Sequence, residues 1–229
     1  MLSIVLPCFN EEENIAATVQ DVLQWFDTSK HDGEAIVVDD GSRDQSGRIA
    51  DELAAKDPRV RVVHHEVNRG YGAAVRSGCD AAKGDWIGFM DSDRQFHAQD
   101  FEKLIPFMGQ YAFVTGLRQK RADPFIRKVN AKLFGALVFL ILGVWVRDIN
   151  CALKIFTKET WKIIRPDYST GALFNAEVFL GLKLNKIPWK QIPVSHYPRE
   201  FGTQTGAKPW VIFTMFIELA KLRIRKKKK

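Results

Sequence analysis

The chain has 229 residues, of which 46% are hydrophobic and 27% are charged, a composition that supports an ordinary globular core and excludes a disordered chain. The net charge of +7 comes from the C-terminus, because residues 221–229 hold seven of the 34 basic residues and no acid. The first 220 residues therefore balance 27 basic against 27 acidic side chains, so we expect no nucleic-acid partner.

Short apolar segments alternate with helical patterns through the first 90 residues. Helical spacing of apolar residues recurs after residue 15 and around residue 50, and a segment rich in small residues ends at Gly84. The four predicted strands are "LSIVLP", "EAIVVDDGS", "VRVVHH" and "DWIGFMD". This alternation predicts an α/β fold, with a mostly parallel, Rossmann-like sheet covered by helices on both faces.

The pattern is looser after residue 105, but it continues. Strands are predicted at 111–116, 151–156 and 189–194, and helices at 124–146, as one or two apolar helices, and at 172–185. No linker rich in Pro, Gly or Ser divides the chain. We therefore predict one catalytic domain over 1–205 and a C-terminal extension over 206–229.

Two apolar segments bear on membrane contact. The first, 133–146, has 14 residues, which is too short to span a bilayer, so it is a buried helix or one that lies in the membrane interface. The second precedes the basic C-terminus and carries a broad apolar face. An apolar face beside clustered cations is typical of an amphipathic helix on an anionic membrane surface, although a core helix with a basic end is the alternative.

The three cysteines are Cys8, Cys79 and Cys151, and they are isolated from one another in the sequence. They form no CxxC pair and no zinc-binding spacing, which indicates a reduced chain in the cytoplasm. The N-terminus lacks the basic residues and long apolar run of a signal peptide and is predicted as a strand.

Acidic residues follow three of the predicted strands, in "PCFNEEE", "VDDGSRD" and "MDSDRQF". In open parallel sheets, ligands bind outside the carboxyl ends of the strands, so these three segments can face one cleft. Asp91 and Asp93 are the most informative pair, because two charges at the tip of an apolar strand do not serve stability. Carboxylates of this kind suit Mg²⁺ or Mn²⁺, which also bridge phosphates.

The four segments "IVLPCFNEEENI", "IVVDDGSRDQSG", "NRGYGAAVRSG" and "GDWIGFMDSDRQF" together resemble an inverting family 2 glycosyltransferase of the GT-A fold. The resemblance covers roughly residues 2–205. It is closest to the dolichyl- or polyprenyl-phosphate sugar synthases, whose later motifs resemble "DINCALKIF" and "HYPREFGTQTG". It implies a nucleotide-sugar donor, a divalent metal and a lipid-phosphate acceptor.

The resemblance also implies roles for individual residues. Asp40 is suited to accept hydrogen bonds from the base, and Phe9 keeps a stacking face where relatives often have tyrosine. The implied donor contacts are Pro7, Phe9, Glu11, Val38, Asp40, Asp91 and Ser92. The implied metal ligands are Asp91, Asp93 and Gln95. The implied catalytic residues are Asp93, Arg118, Arg127 and Arg199, the three arginines as phosphate-binding groups, since a guanidinium holds a phosphate with paired donors.

The sequence departs from the family pattern near its last motif. Relatives carry a lysine six residues after the arginine that corresponds to Arg199, where this chain has Thr205. Lys208 is nearby and is the candidate to reach the same phosphate.

The acceptor decides whether the reaction needs a general base. A sugar hydroxyl must lose a proton, and Asp148 and Glu177 are the acidic candidates, although Asp148 is also suited to order its own turn. His97 has no partner identifiable from the sequence. A phosphate monoester is already largely a dianion near neutral pH and needs arginines to position it.

The arginines and the two apolar segments favour transfer of a hexose from a donor of the GDP-mannose or UDP-glucose type to a polyprenyl or dolichyl phosphate. A family 2 enzyme acting on a sugar hydroxyl of a glycan or glycolipid is the alternative. The expected location is cytoplasmic and peripheral to the membrane, with the membrane surface and a membrane-anchoring subunit as partners. A nucleotidyltransferase is disfavoured because "PCFNEEE" lacks a phosphate loop rich in glycine and lysine.

Overall fold

One sheet organises the chain. The computed structural model describes residues 1–119, 125–171, 173–199, 201 and 217–225, with the backbone alone for 125–128. The strands within these ranges are β1 (Leu2–Cys8), β2 (Gly33–Asp39), β3 (Val60–His64), β4 (Trp86–Phe89), β5 (Phe113–Arg118), β6 (Lys154–Thr157) and β7 (Trp189–Val194). Their order across the sheet is β3-β2-β1-β4-β6-β5-β7.

Strand direction follows the prediction except at one strand. β1 pairs in parallel with β2 and β4, β2 with β3, and β5 with β7. β6 is antiparallel to both of its neighbours, β4 and β5. The mostly parallel sheet is confirmed, and the carboxyl ends of β1, β2 and β4 lie at the same edge.

The helices cover both faces of this sheet. Within the described residues they include α1 (Ile15–Ser29), α2 (Ser46–Lys56), α3 (Tyr71–Ala81), α4 (Phe125–Leu142), α5 (Lys158–Ile164) and α6 (Phe174–Leu184). Two short 3-10 helices, Ala98–Lys103 and Ile105–Phe107, follow β4, and residues 217–225 are helical. The predicted apolar helices at 124–146 are one helix, α4, followed by an irregular segment.

Alternating residues of β1 contribute to two separate cores, as the two-residue period of a strand requires. Val5 belongs to the core that α3, α5 and α6 cover, whereas Ile4 and Leu6 belong to the core covered by α1. Gly78 allows α3 to approach closely, because a Cβ there would lie 2.2 Å from a Val5 methyl carbon. All seven residues of β1 are buried, which explains why its sequence is apolar except at Ser3.

Helix α5 was not predicted from the sequence. It has only seven residues, and Thr157 caps it by accepting a hydrogen bond at its hydroxyl oxygen from the Thr160 backbone N–H, at 3.0 Å. A helix of two turns is too short to show a clear apolar period. The predicted strand at 151–156 correspondingly begins later, at Lys154.

The helical residues 217–225 share a core with α4. Leu219 and Leu222 are fully buried in the same core as Phe134 and Val138 of α4. Residues 206–216 and 226–229 of the predicted extension lie outside the described residues. Among the helices that are described, none combines the length and the apolar character needed to cross a membrane.

Candidate active site

The loop after β4 carries Asp91 and Asp93 and is held against β1 and α1. The Ser92 hydroxyl donates a hydrogen bond to the Pro7 backbone oxygen at 2.9 Å, and the Thr18 hydroxyl donates to the Ser92 backbone oxygen at 3.2 Å. Ser92 is buried, so its side chain secures the loop. These contacts place both aspartates at the carboxyl edge of the sheet, where the sequence predicts the site.

Asp91 has the electrostatics of a ligand-binding carboxylate. Its Oδ1 atom is fully buried and has no hydrogen-bond partner within the described structure. Burial raises the pKa of Asp91 to about 7, and the negative charge of Asp93 raises it further. A hydrogen bond with Tyr71 and the charges of Lys154 and Arg118 oppose that rise in pKa. A buried oxygen without a partner beside a second carboxylate is suited to a bound cation.

Asp93 and Gln95 connect this loop to the segment after β7. The Asp93 Oδ1 atom accepts a hydrogen bond from the Gln95 backbone N–H at 3.1 Å. Gln95 in turn donates from its side-chain amide to the Tyr197 backbone oxygen at 3.3 Å, and its backbone oxygen accepts from the Tyr197 N–H at 3.0 Å. Gln95 therefore joins two segments that are 102 residues apart in the sequence. Its amide nitrogen is a donor, so only its amide oxygen is suited to the predicted metal ligation.

Arg199 lies at the junction of three segments. Its Nη2 atom contacts Glu11, its Nη1 atom is 3.5 Å from the Asp93 Oδ2 atom, and its Nε–H donates to the Phe201 backbone oxygen at 2.6 Å. Glu11 also accepts a hydrogen bond from the Asn14 side chain at 2.7 Å. The structure thus brings together the predicted residues Glu11, Asp93 and Arg199.

The loops after β1 and β2 hold each other in place. The Asn10 side chain accepts a hydrogen bond from the Arg43 N–H at 2.8 Å, and the Glu12 side chain accepts one from the Gln45 N–H at 2.9 Å. Phe9 lies at the rim and is 40% exposed. Its ring is accessible for the predicted stacking on a base, which stays a prediction.

Asp40 uses both carboxylate oxygens within the protein. Oδ1 is 2.6 Å from His65 Nδ1 and accepts from the Arg69 N–H at 2.9 Å, while Oδ2 accepts from the Gly70 N–H at 2.8 Å. Gly70 has a φ of 94°, which favours glycine at this turn. The side chain of Val38 is fully buried in the core, so the predicted donor contact of Val38 would come from its backbone.

Arg118 and Asp148 form a buried ion pair beside an open cavity. Arg118 donates from Nε and Nη2 to the two Asp148 oxygens at 2.8 and 2.7 Å. The cavity has a volume of about 400 Å³ and apolar walls that include Phe134 and Val146, with Arg147 also on its lining. A cavity that combines apolar walls with cations is suited to an amphiphilic anion.

Three further predicted residues are only partly accounted for. The Arg127 side chain lies outside the described residues, although its backbone is in the first turn of α4. Thr205 and Lys208 also lie outside them. The predicted phosphate contacts of Arg127 and Lys208 therefore stay predictions.

The three candidate bases all have partners. The two Asp148 oxygens bind Arg118, and Glu177 accepts hydrogen bonds from the backbone N–H groups of Asp167 and Ser169 at 3.2 and 2.8 Å. His97 Nδ1 lies 3.6 Å from an Asp21 oxygen. Asp148 and Glu177 therefore hold local structure, as the sequence suggested for Asp148.

Lys154 is a charged residue near the site that sequence analysis missed. It is fully buried, donates to the backbone oxygens of Ile149 and Cys151, and lies over the Phe89 ring at 5.1 Å from the ring centre. Burial lowers its pKa to about 8. The signal available in the sequence was a lysine within the apolar strand "ALKIF", a position where charge is rare.

The donor set for a metal ion is small. Among the residues that the structure describes, no group of three or more His, Cys, Asp or Glu side chains is placed to hold a metal ion. Asp91 and Asp93 supply two carboxylates, and Mg²⁺ commonly binds through one or two carboxylates with substrate phosphates completing its shell. The residues fit a metal that binds together with a diphosphate.

The fold is shared with an enzyme of known structure. The glucosyl-3-phosphoglycerate synthase of Mycobacterium tuberculosis, solved with Mn²⁺, uridine diphosphate and glucosyl-3-phosphoglycerate, has a similar structure. The TM-score is 0.68 at 21% identity, over 97% of this chain and 79% of that chain. This likeness confirms the predicted GT-A fold.

The chain belongs to glycosyl transferase family 2, whose family model matches residues 3–179. Glycosyltransferase AglD of Haloferax volcanii is 33% identical over 86% of this chain and 33% of its own length. The undecaprenyl-phosphate 4-deoxy-4-formamido-L-arabinose transferase of Edwardsiella ictaluri is 29% identical over 88% of this chain and 61% of its own length. The chain thus spans about a third of one relative and about three fifths of the other. The predicted family is confirmed.

Proposed function

We propose that the chain transfers a hexose from a nucleotide sugar, of the GDP-mannose or UDP-glucose type, to a polyprenyl or dolichyl phosphate. An acceptor phosphate oxygen forms a bond to the anomeric carbon while the bond from that carbon to the donor diphosphate breaks. The nucleoside diphosphate leaves with the bonding electron pair, and the configuration at the anomeric carbon inverts.

The observation that carries the proposal is the apolar cavity beside Arg118. The Arg118 charge opposes the rise in the pKa of Asp91 that burial causes, which supports a cavity close to the predicted donor site. Lys132 and Arg147 add two more cations to the lining. An acceptor with a phosphate head and an apolar tail matches this combination better than a polar glycan does.

The partners of Asp148 and Glu177 support the same acceptor. A sugar hydroxyl needs a base at the attacking oxygen, but these carboxylates are committed to an arginine and to two backbone N–H groups. A phosphate monoester, with a second pKa of about 6, needs no base near neutral pH. Arg118, Arg127 and Arg199 would position the phosphates of donor and acceptor.

Asp91 and Asp93, with the amide oxygen of Gln95, would hold Mg²⁺ or Mn²⁺. The bound ion supplies Lewis-acid stabilisation of the departing diphosphate. Glu11, Phe9, Pro7, Ser92, Val38 and Asp40 would shape the donor site. Of these, Ser92 and Asp40 act by fixing the loops, since their side chains already bind backbone groups.

The proposal includes peripheral association of a cytoplasmic protein with the membrane surface. α4 and the segment after it expose large apolar side chains, Leu133, Phe139, Leu140 and Trp145, and residues 125–147 contain no acid. We call these four residues the apolar face. Together with the basic residues at the end of the extension over 206–229, the apolar face would place the cavity at the lipid surface, with a membrane-anchoring subunit as a further partner.

The test is transfer of radiolabelled sugar to a polyprenyl phosphate in detergent, with GDP-mannose, UDP-glucose or UDP-N-acetylglucosamine as donor. Wild type, Asp93→Ala and a control, Asp85→Ala, are compared with Mn²⁺, Mg²⁺ and a chelator. Asp85 is a suitable control because its side chain is 88% exposed and lies before β4. We expect metal-dependent label in the lipid phase with wild type and Asp85→Ala, and none with Asp93→Ala. Hydrolysis of the donor without a lipid product would overturn the proposal that the acceptor is a lipid phosphate.

A further inference from the structure

Arg199 occupies the position of a counter-ion between two acidic side chains. Glu11 follows β1, Asp93 follows β4, and Arg199 follows β7, so three distant strand ends meet at one guanidinium. All three side chains are largely buried, with exposed fractions of 14%, 12% and 16%. Charges in such a position are screened weakly by salt, so each one strongly affects the binding of another ion nearby.

The two carboxylate contacts of Arg199 differ in closeness. Its Nη2 atom contacts Glu11 closely, and its Nε–H is fixed to the Phe201 backbone oxygen at 2.6 Å. Its Nη1 atom is 3.5 Å from the Asp93 Oδ2 atom, whereas charged hydrogen bonds of this type are typically about 2.7–2.9 Å long. The contact with Asp93 is therefore the weaker of the two and the easier one to exchange.

Asp93 is also one of the two carboxylates proposed above to hold the metal ion. A divalent ion on Asp93 and a guanidinium 3.5 Å from the same carboxylate repel each other. Any ion that binds Asp91 and Asp93 must therefore work against Arg199, unless negative charge arrives with it. The donor diphosphate carries such charge.

We propose that Arg199 and the divalent metal compete for Asp93. In the metal-free protein Arg199 neutralises Asp93; when metal and donor diphosphate bind together, the Nη1 group leaves Asp93 for a donor phosphate, while the contact with Glu11 is kept. Arg199 is thus a positioning residue that suppresses metal binding without the nucleotide. This inference rests on the metal-dependent function proposed above.

The experiment measures Mn²⁺ binding directly, from the electron paramagnetic resonance signal of free Mn²⁺ during titration of the full chain. Wild type, Arg199→Gln, Arg199→Ala and Arg199→Lys are compared without nucleotide and with UDP or GDP. Arg165→Gln is the matched control, because Arg165 forms a comparable arginine–carboxylate pair, with Asp80, on the surface. Circular dichroism and thermal unfolding establish that each variant is folded.

Without nucleotide, Arg199→Gln is expected to bind Mn²⁺ at least tenfold more tightly than wild type, because the competing cation is gone. Arg199→Lys keeps the charge and is expected to stay within threefold of wild type, as is Arg165→Gln. The nucleotide should tighten Mn²⁺ binding in wild type more than in Arg199→Gln, because part of its effect is to draw Arg199 away.

Two results would overturn the inference in distinguishable ways. In the first result, wild type binds Mn²⁺ in the presence of UDP or GDP. Without nucleotide, however, folded Arg199→Gln and Arg199→Ala bind Mn²⁺ no more tightly than wild type does. The competition is then absent, and the proposed function stands. If neither wild type nor any variant binds Mn²⁺ with either nucleotide, the metal-dependent function fails together with the inference.

Discussion

Arg118 and Asp148 form a two-point ion pair that joins β5 to the segment after α4. The Nε and Nη2 atoms donate to the two carboxylate oxygens at 2.8 and 2.7 Å, and the Arg118 backbone N–H donates to the same carboxylate at 3.2 Å. Both side chains are at least nine-tenths buried. The pair forms part of the cavity lining and sets the orientation of the guanidinium there.

Asp148→Asn is expected to lower the free energy of unfolding by about 3 kcal/mol, because it leaves the buried Arg118 charge without its main carboxylate partner. Urea unfolding measures this change. Asp85→Asn is the control and should alter the free energy by less than about 0.5 kcal/mol, since Asp85 is exposed. An Asp148→Asn protein as stable as wild type would show that the pair contributes no net stability.

Glu177→Gln should leave catalysis largely intact, because Glu177 holds the backbone at Asp167 and Ser169. We expect the free energy of unfolding to fall by about 1–2 kcal/mol and the turnover of the folded variant to stay within threefold of wild type. Initial rates at saturating donor and acceptor measure turnover, with the exposed Glu159→Gln as control. A folded variant slowed by a factor of about 100 or more would instead identify Glu177 as a general base.

The stability of the metal-free protein should fall between about pH 4 and pH 7 because of Asp91. Burial and the Asp93 charge raise its folded-state pKa to about 7, above the unfolded value of about 3.9. Between these two values the folded state binds more protons than the unfolded state, so stability is lost as pH rises.

Asp91→Asn removes this titration, so its free energy of unfolding relative to wild type should increase from pH 4 to pH 7 and stay constant above. Urea unfolding at several pH values in the presence of a chelator measures the difference, which we expect to reach a few kcal/mol. A difference that does not change with pH would show that Asp91 ionises at an ordinary pKa.

The apolar face should contribute to membrane binding. Leu140 and Trp145 are 72% and 66% exposed, and burial of each side chain in a lipid interface would contribute about 2 kcal/mol. Leu140→Glu combined with Trp145→Glu is expected to weaken sedimentation with vesicles of phosphatidylcholine and phosphatidylglycerol by at least tenfold. Val67→Glu is the control, because Val67 is equally exposed, at 67%, but lies after β3. If all variants sediment with the vesicles as wild type does, the apolar face does not contribute to membrane binding.

The sequence by itself determined the layers of the fold and the position of the acidic loops. Strand and helix periods follow from local chemistry, since burial on both faces makes a strand continuously apolar and burial on one face gives a helix its period. Parallel strands then bring their carboxyl ends to one edge, so the sequence predicts that "PCFNEEE" and "MDSDRQF" lie close together.

Only the tertiary structure decided which charges meet. β6 enters the sheet between β4 and β5 in the opposite direction, and this buries Lys154 near Asp91. The pairs of Arg118 with Asp148 and of Arg199 with Glu11 join residues 30 and 188 positions apart. Such pairs depend on the packing of distant segments, and a local pattern carries no information about which distant partner a charged side chain will find.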